Sequence, residues 1–190
     1  YIKNKKIFAH PDCFLKRYSK MNGKYDGMAI SKDELRKNNE LILCKESCEI
    51  QSGTYFLTGI PRHYEFEAKD FPTVLEDRTV DELFDDSGIV VKTANGVVVI
   101  TGCAHSGICN TVEYAKSVCN NDTIYAVIGG FHLPQVDENL DKVITYFKGL
   151  GVQHLLTGHC TCDAACEIMA HQMPQEVNFQ VLGAGKVFDI

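Results

Sequence analysis

One pattern written three times constrains this chain more than anything else: a β-branched strand, a glycine-bounded turn with a histidine, then a helix. Val97 to Thr101 runs into Gly102-Cys103-Ala104-His105-Ser106-Gly107, Thr123 to Ile128 into Gly129-Gly130-Phe131-His132, and Val152 to Leu156 into Thr157-Gly158-His159-Cys160. Short runs of Val, Ile and Leu bounded by glycine read as buried strands. Strands alternating with helices build a layered α/β fold, in which residues just past the carboxyl ends of the strands collect on one rim. His105, His132 and His159 therefore fall on the same edge, and the chemistry is expected there.

The rest of the chain fits one such fold, read as a single domain over 1–190. Its 190 residues, 45% of them hydrophobic, suffice for a proper core. Pro11 suits a first helical turn, with Phe14 and Leu15 on an apolar face before Gly23. Ser31-x-x-Glu34 has the form of a capping box for a short helix to about Asn39. Leu41 to Leu43 and Thr54 to Thr58 read as strands, and Ile60 to Leu83 as a long loop. Asn95-Gly96 between Ile89–Thr93 and Val97–Thr101 is a strong hairpin signal, because those residues accept the backbone of a tight turn. Helices are expected over Asn110–Val118, after the Asp137 cap with Leu140, Val143, Ile144, Phe147 and Leu150 on one face, and over Asp163–Met173. Phe179–Leu182 and Lys186–Phe188 read as two final strands turning at Gly183-Ala184-Gly185.

Net charge is −6, with no basic run, which argues against a nucleic-acid face. No apolar run reaches the roughly 18–20 residues of a membrane span, and no secretory signal precedes the first strand, so a cytoplasmic protein with no membrane partner is expected. Nine cysteines cannot all pair within one chain, and reduced thiols are expected. Cys160-x-Cys162 with Cys166, and Cys44 with Cys48, lack the paired C-x-x-C spacing of structural zinc, and read as buried or incidental. His10, His63, His154 and His171 lack the strand-end context and read as structural or surface residues. Imidazole is the commonest zinc ligand and also suits iron and manganese, so three histidines on one rim point to a metal site. A catalytic metal generally needs at least three protein ligands, and these loops alone amount to part of a site.

Longer strings carry a resemblance. Val98-Val99-Ile100-Thr101-Gly102-Cys103-Ala104-His105-Ser106-Gly107-Ile108, followed by Asn110 to Ala115, resembles the third metal-ligand motif of the metallo-β-lactamase superfamily. Tyr125 to Leu133, Thr157 to Thr161, and Thr58-Gly59-Ile60-Pro61-Arg62 with Glu67 are similar to its branch of dihydropterin-ribofuranosylaminobenzene-phosphate synthase-like metal-dependent hydrolases. The resemblance runs from Phe8 onward. It implies an α/β fold, an αββα sandwich, with one or two ions of zinc, or of manganese or iron, at the sheet edge. His105 would be a ligand of the first metal and His159 of the second, with His132 and Arg62 as substrate contacts.

It also implies departures from the family pattern. Gly130 stands where many members carry a bridging aspartate, and Cys162 where the branch has glycine. The H-x-H-x-D-H motif, with the aspartate that orients water, belongs upstream of Phe8. The chain, opening at Tyr1, is thus expected to be the distal, N-terminally incomplete part of the sandwich. The activity expected on this resemblance is hydrolysis by metal-activated water of a small phosphorylated substrate, a phosphate ester or phosphodiester. Three other readings stand beside it: a pterin-pathway transferase, a di-iron redox protein against which Gly130 argues, and a metal-poor, non-catalytic remnant. An uncovered sheet face would favour a homo-oligomer.

Overall fold

The structure, a computed structural model, describes residues 2–69 and 71–188. Its frame is a seven-stranded mixed sheet with two halves of different origin. The antiparallel half contains β4 (Cys48–Gln51), β5 (Thr54–Thr58), β7 (Ser87–Thr93) and β8 (Gly96–Thr101), the last two joined by the expected Asn95-Gly96 turn. The parallel half adds β9 (Ile124–Gly129), β10 (His154–Thr157) and β11 (Asn178–Val181) in chain order. Between these strands run α2 (Ile108–Cys119), α3 (Glu138–Leu150) and α4 (Asp163–Gln172). Parallel crossovers are right-handed, so strands added successively in one direction put all three helices on one face.

The core fills the space between that face and the helices. Val90, Val97, Val99, Val127 and Leu155 point from the sheet to Ile108, Val112, Leu140, Val143, Ile144, Phe147 and Met169, all of them buried. Phe131 stacks on Phe147 with ring centroids 5.5 Å apart, which ties the loop after β9 to the middle of α3. On the opposite face a smaller parallel pair, β1 (Lys6–Ala9) and β3 (Glu40–Leu43), touches the sheet where Phe8 meets Phe56 at 6.4 Å. α1 (Lys32–Asn38) contacts β3 and starts at the expected capping box, in which Ser31 accepts the Glu34 N–H and the Glu34 carboxylate accepts that of Ser31. Helices, large sheet, small sheet and α1 thus follow the αββα order.

Several expectations need correction. No helix runs from Pro11 toward Gly23: a single 3-10 turn, Pro11–Phe14, gives way to β2 (Arg17–Ser19), paired antiparallel with β6 (Thr73–Leu75) inside the expected long loop. The cause lies 64 residues away. Arg17 is buried, donates to Asp81 at 2.6 Å and grips Asp85 with two bonds of 2.9 Å, and such a bidentate pair fixes the backbone where local propensity does not. β4 carries too few apolar residues to stand out in the sequence and forms as an edge strand against β5. Lys186–Phe188 is not a strand; Lys186 instead bonds back across the turn to Gly183 and Val181. Tyr1 and Asp70, on the expected start and long loop, lie outside the described residues. Among the described residues no helix is long and apolar enough to cross a membrane.

Candidate functional site

Strands β8, β9 and β10 lie side by side, and the loops at their carboxyl ends are stitched together. Gly130 N–H donates to the Gly102 carbonyl at 2.8 Å, Thr101 Oγ1 to the Gly130 carbonyl at 3.1 Å, and Phe131 N–H to Thr161 Oγ1 at 3.0 Å. Each loop holds a non-glycine residue in the left-handed region: Ala104 (φ 54°), His132 (φ 48°) and His159 (φ 58°). Such backbone is sparsely populated and persists where surrounding contacts demand it, often at functional sites.

The loops bring two of the three rim histidines into direct contact. The His105 and His132 rings are 4.5 Å apart, edge to face at 73°. Burial, then the neighbouring His132, lowers the pKa of His105, which favours the neutral imidazole that metals bind. His132 Nδ1 is buried without a hydrogen-bond partner. Both rings line a cavity of about 350 Å³ whose walls include Phe131, Leu133, Lys69 and Lys142. His159, exposed, lies over the next loop beside Cys103, whose thiol it influences. Arg62 is not among the cavity residues: it lies between the rings of Phe71 and Phe84, 5.0 and 4.7 Å from their centroids, and bonds the carboxylate and the carbonyl of Glu82.

Other groups at the rim had no site role assigned from the sequence, where Glu67 stood only within a family string and Cys160 read as a buried or incidental thiol. Glu67 is buried beneath the site and accepts the N–H groups of Cys109 and Asn110, each at 2.9 Å, so a carboxylate 42 residues distant caps α2 in place of a side chain at Gly107. A Cβ on Gly107 would collide with that carboxylate. Asp86 accepts the Ser106 N–H at 2.8 Å and is the first carboxylate to act on His105. Cys160 Sγ accepts the His132 N–H at 3.3 Å. Its neighbour Cys103 is the main cause of a thiol pKa lowered to about 7. The signal available in the sequence was proximity: cysteines two residues before His105 and one after His159, and the Asp85-Asp86 doublet ahead of β7.

A metal fits this rim in kind and falls short in number. Histidine nitrogens with a nearby thiol are zinc-type donors, and the unpartnered His132 Nδ1 is an unspent one. Among the described residues, however, no three His, Cys, Asp or Glu side chains are grouped to hold an ion.

No protein-family model matches the chain. An uncharacterized protein of Methanocaldococcus jannaschii is 34% identical over 98% of the chain and 69% of its own length. From the same organism, 7,8-dihydropterin-6-methyl-4-(beta-D-ribofuranosyl)-aminobenzene-5'-phosphate synthase is 29% identical over 95% of the chain and 65% of its own length. The chain thus spans about two thirds of these relatives. Among solved structures, a metal-dependent hydrolase of the beta-lactamase superfamily superposes with a TM-score of 0.87 at 26% identity, covering all of this chain and 73% of that one. Fold and relatives agree that the chain belongs to the metallo-β-lactamase superfamily, with sequence similarity to the synthase.

Proposed function

We propose that this protein is a metal-dependent hydrolase of a small phosphorylated substrate, a phosphate ester or phosphodiester. The observation that carries the reading is the 4.5 Å contact of His105 with His132 on the wall of a cavity bearing Lys69 and Lys142. His105 and His159 would hold the metal, one or two ions of zinc, manganese or iron, with further ligands and a water-orienting carboxylate drawn from outside these 190 residues. Such an ion supplies Lewis-acid polarisation and lowers the pKa of water from 15.7 toward about 7. His132, with its free Nδ1, would meet a substrate oxygen, and the two lysines would draw in the anion. Arg62 would join them only by releasing Glu82.

The deciding experiment is metal content by elemental analysis, with turnover of bis(p-nitrophenyl) phosphate, on the protein extended upstream through the expected H-x-H-x-D-H segment. One or two ions per chain are expected, and His105→Ala should lose metal and cut turnover by about two orders of magnitude. A folded, extended protein without metal would sink the reading. The synthase relative favours a second reading, a transferase joining a dihydropterin to a ribosyl-aminobenzene phosphate. Product formed only when both substrates are supplied, with the simple diester left intact, would select it.

A further inference from the structure

Cys103 follows β8 and Cys160 follows β10, two strands held about 9–10 Å apart because β9 lies between them. At the end of β9 stands Gly130, and the two cysteines lean over it from either side. A Cβ at that position would fall 2.5 Å from Cys160 Sγ and 3.3 Å from Cys103 Cα, so any side chain there would occupy the gap in which the pair meets. Cys160 Sγ lies 3.5 Å from the Cys103 carbonyl oxygen. Neither is fully buried, unlike Cys109, Cys119 and Cys166, so a small solute can reach them.

We propose that Cys103 and Cys160 form a reversible disulfide, a modification site that straps the His105 loop to the His159 loop across the end of β9. The oxidant is a low-molecular-weight disulfide. One protein thiolate attacks it, forming a mixed disulfide and releasing one small thiol. The second protein thiolate then displaces the other half. Two protein S–H bonds and one small S–S bond are lost, one protein S–S bond and two small S–H bonds are gained, and the protons end on the released thiols. The inference is independent of the hydrolase reading, since it concerns bonding between two side chains of this chain and is read without substrate.

The test treats the purified protein with oxidised glutathione, counts free thiols in denaturant, and maps peptides by mass spectrometry after alkylation. The nine free thiols should fall to seven, with one peptide pair joined through Cys103 and Cys160, lighter by two hydrogens and restored by reductant. Cys103→Ser should abolish the link and leave glutathione on Cys160. Gly130→Ala, kept only if its circular dichroism matches the parent, should slow the linkage by about an order of magnitude through the displaced geometry. Nine persistent thiols, or glutathione stable on Cys160 while Cys103 stays free, would overturn the proposal. So would oxidation confined to Cys44 and Cys48, whose sulfurs lie 3.0 Å apart where the chain enters β4.

Discussion

Glu67 shows how one residue can hold a site together from a distance. Its carboxylate satisfies two backbone donors at the start of α2, the helix that opens two residues after Ser106 and so anchors the His105 loop. Glu67→Ala leaves those donors buried and unpaired, at a cost of about 2 kcal/mol. For a protein of this size the melting temperature should fall by about 4–8 °C, measured by circular dichroism. Burial raises the Glu67 pKa despite the two N–H bonds, which act in the lowering direction. A raised carboxyl pKa gives stability that is full below the unfolded value of 4.5 and lost as pH rises through the folded value. Glu67→Gln should therefore compare best with the parent at neutral pH and progressively worse as the pH falls toward 4.5. Urea unfolding at the two pH values checks this, and an unchanged difference would show that burial does not govern the group.

Among the elements, α3 sets the far wall of the cavity and is capped locally. Asp137 accepts the N–H groups of Asn139 at 2.9 Å and Leu140 at 3.3 Å, an Asx cap visible in the sequence. Asp137→Ala should cost about 1 kcal/mol. The Gln135 amide, then the helix N–H groups, lower the Asp137 pKa. Its contribution is therefore present at neutral pH and lost as pH falls below the ordinary carboxyl range, the reverse of Glu67. Melting curves of parent and variant should accordingly converge in acid. A gap that stays constant with pH would assign the loss to packing.

For the molecule as a whole, the side of the sheet away from the helices is only partly covered. Register aligns Phe56, Ile89, Ile100, Ile128 and Leu156 in one row across five strands, and Phe8 reaches only the Phe56 end. Ile89 and Ile100 keep 40% and 37% exposure, high for neighbouring central-strand residues. Leu156, at the far end of the row, is buried, but two exposed isoleucines side by side on central strands invite association. The chain by itself should exceed its monomer mass of 21.2 kDa in light scattering, and Ile100→Lys should shift it toward monomer. A clean monomer at the concentrations used would remove the argument.

Whatever depends on neighbours along the chain was legible in the order of its residues. The three strand-to-helix units, the Asn95-Gly96 hairpin, the Ser31–Glu34 box and the Asp137 cap all rest on periodicity or on groups within four residues, and each stands where expected. The rim position of His105, His132 and His159 comes from the same local order. Which rim groups meet was settled only when the chain folded. His105 faces His132 because the left-handed turns at Ala104 and His132 aim the rings, and backbone in that region is selected by packing. Arg62 lies between Phe71 and Phe84 with Glu82, and Arg17 replaced an expected helix with a strand by reaching Asp81 and Asp85. Cys103 and Cys160, 57 residues apart, converge over a glycine that belongs to neither loop. Charge pairs, thiol pairs and distant caps gain their energy after the backbone has closed long loops, so nothing in the local pattern announces them.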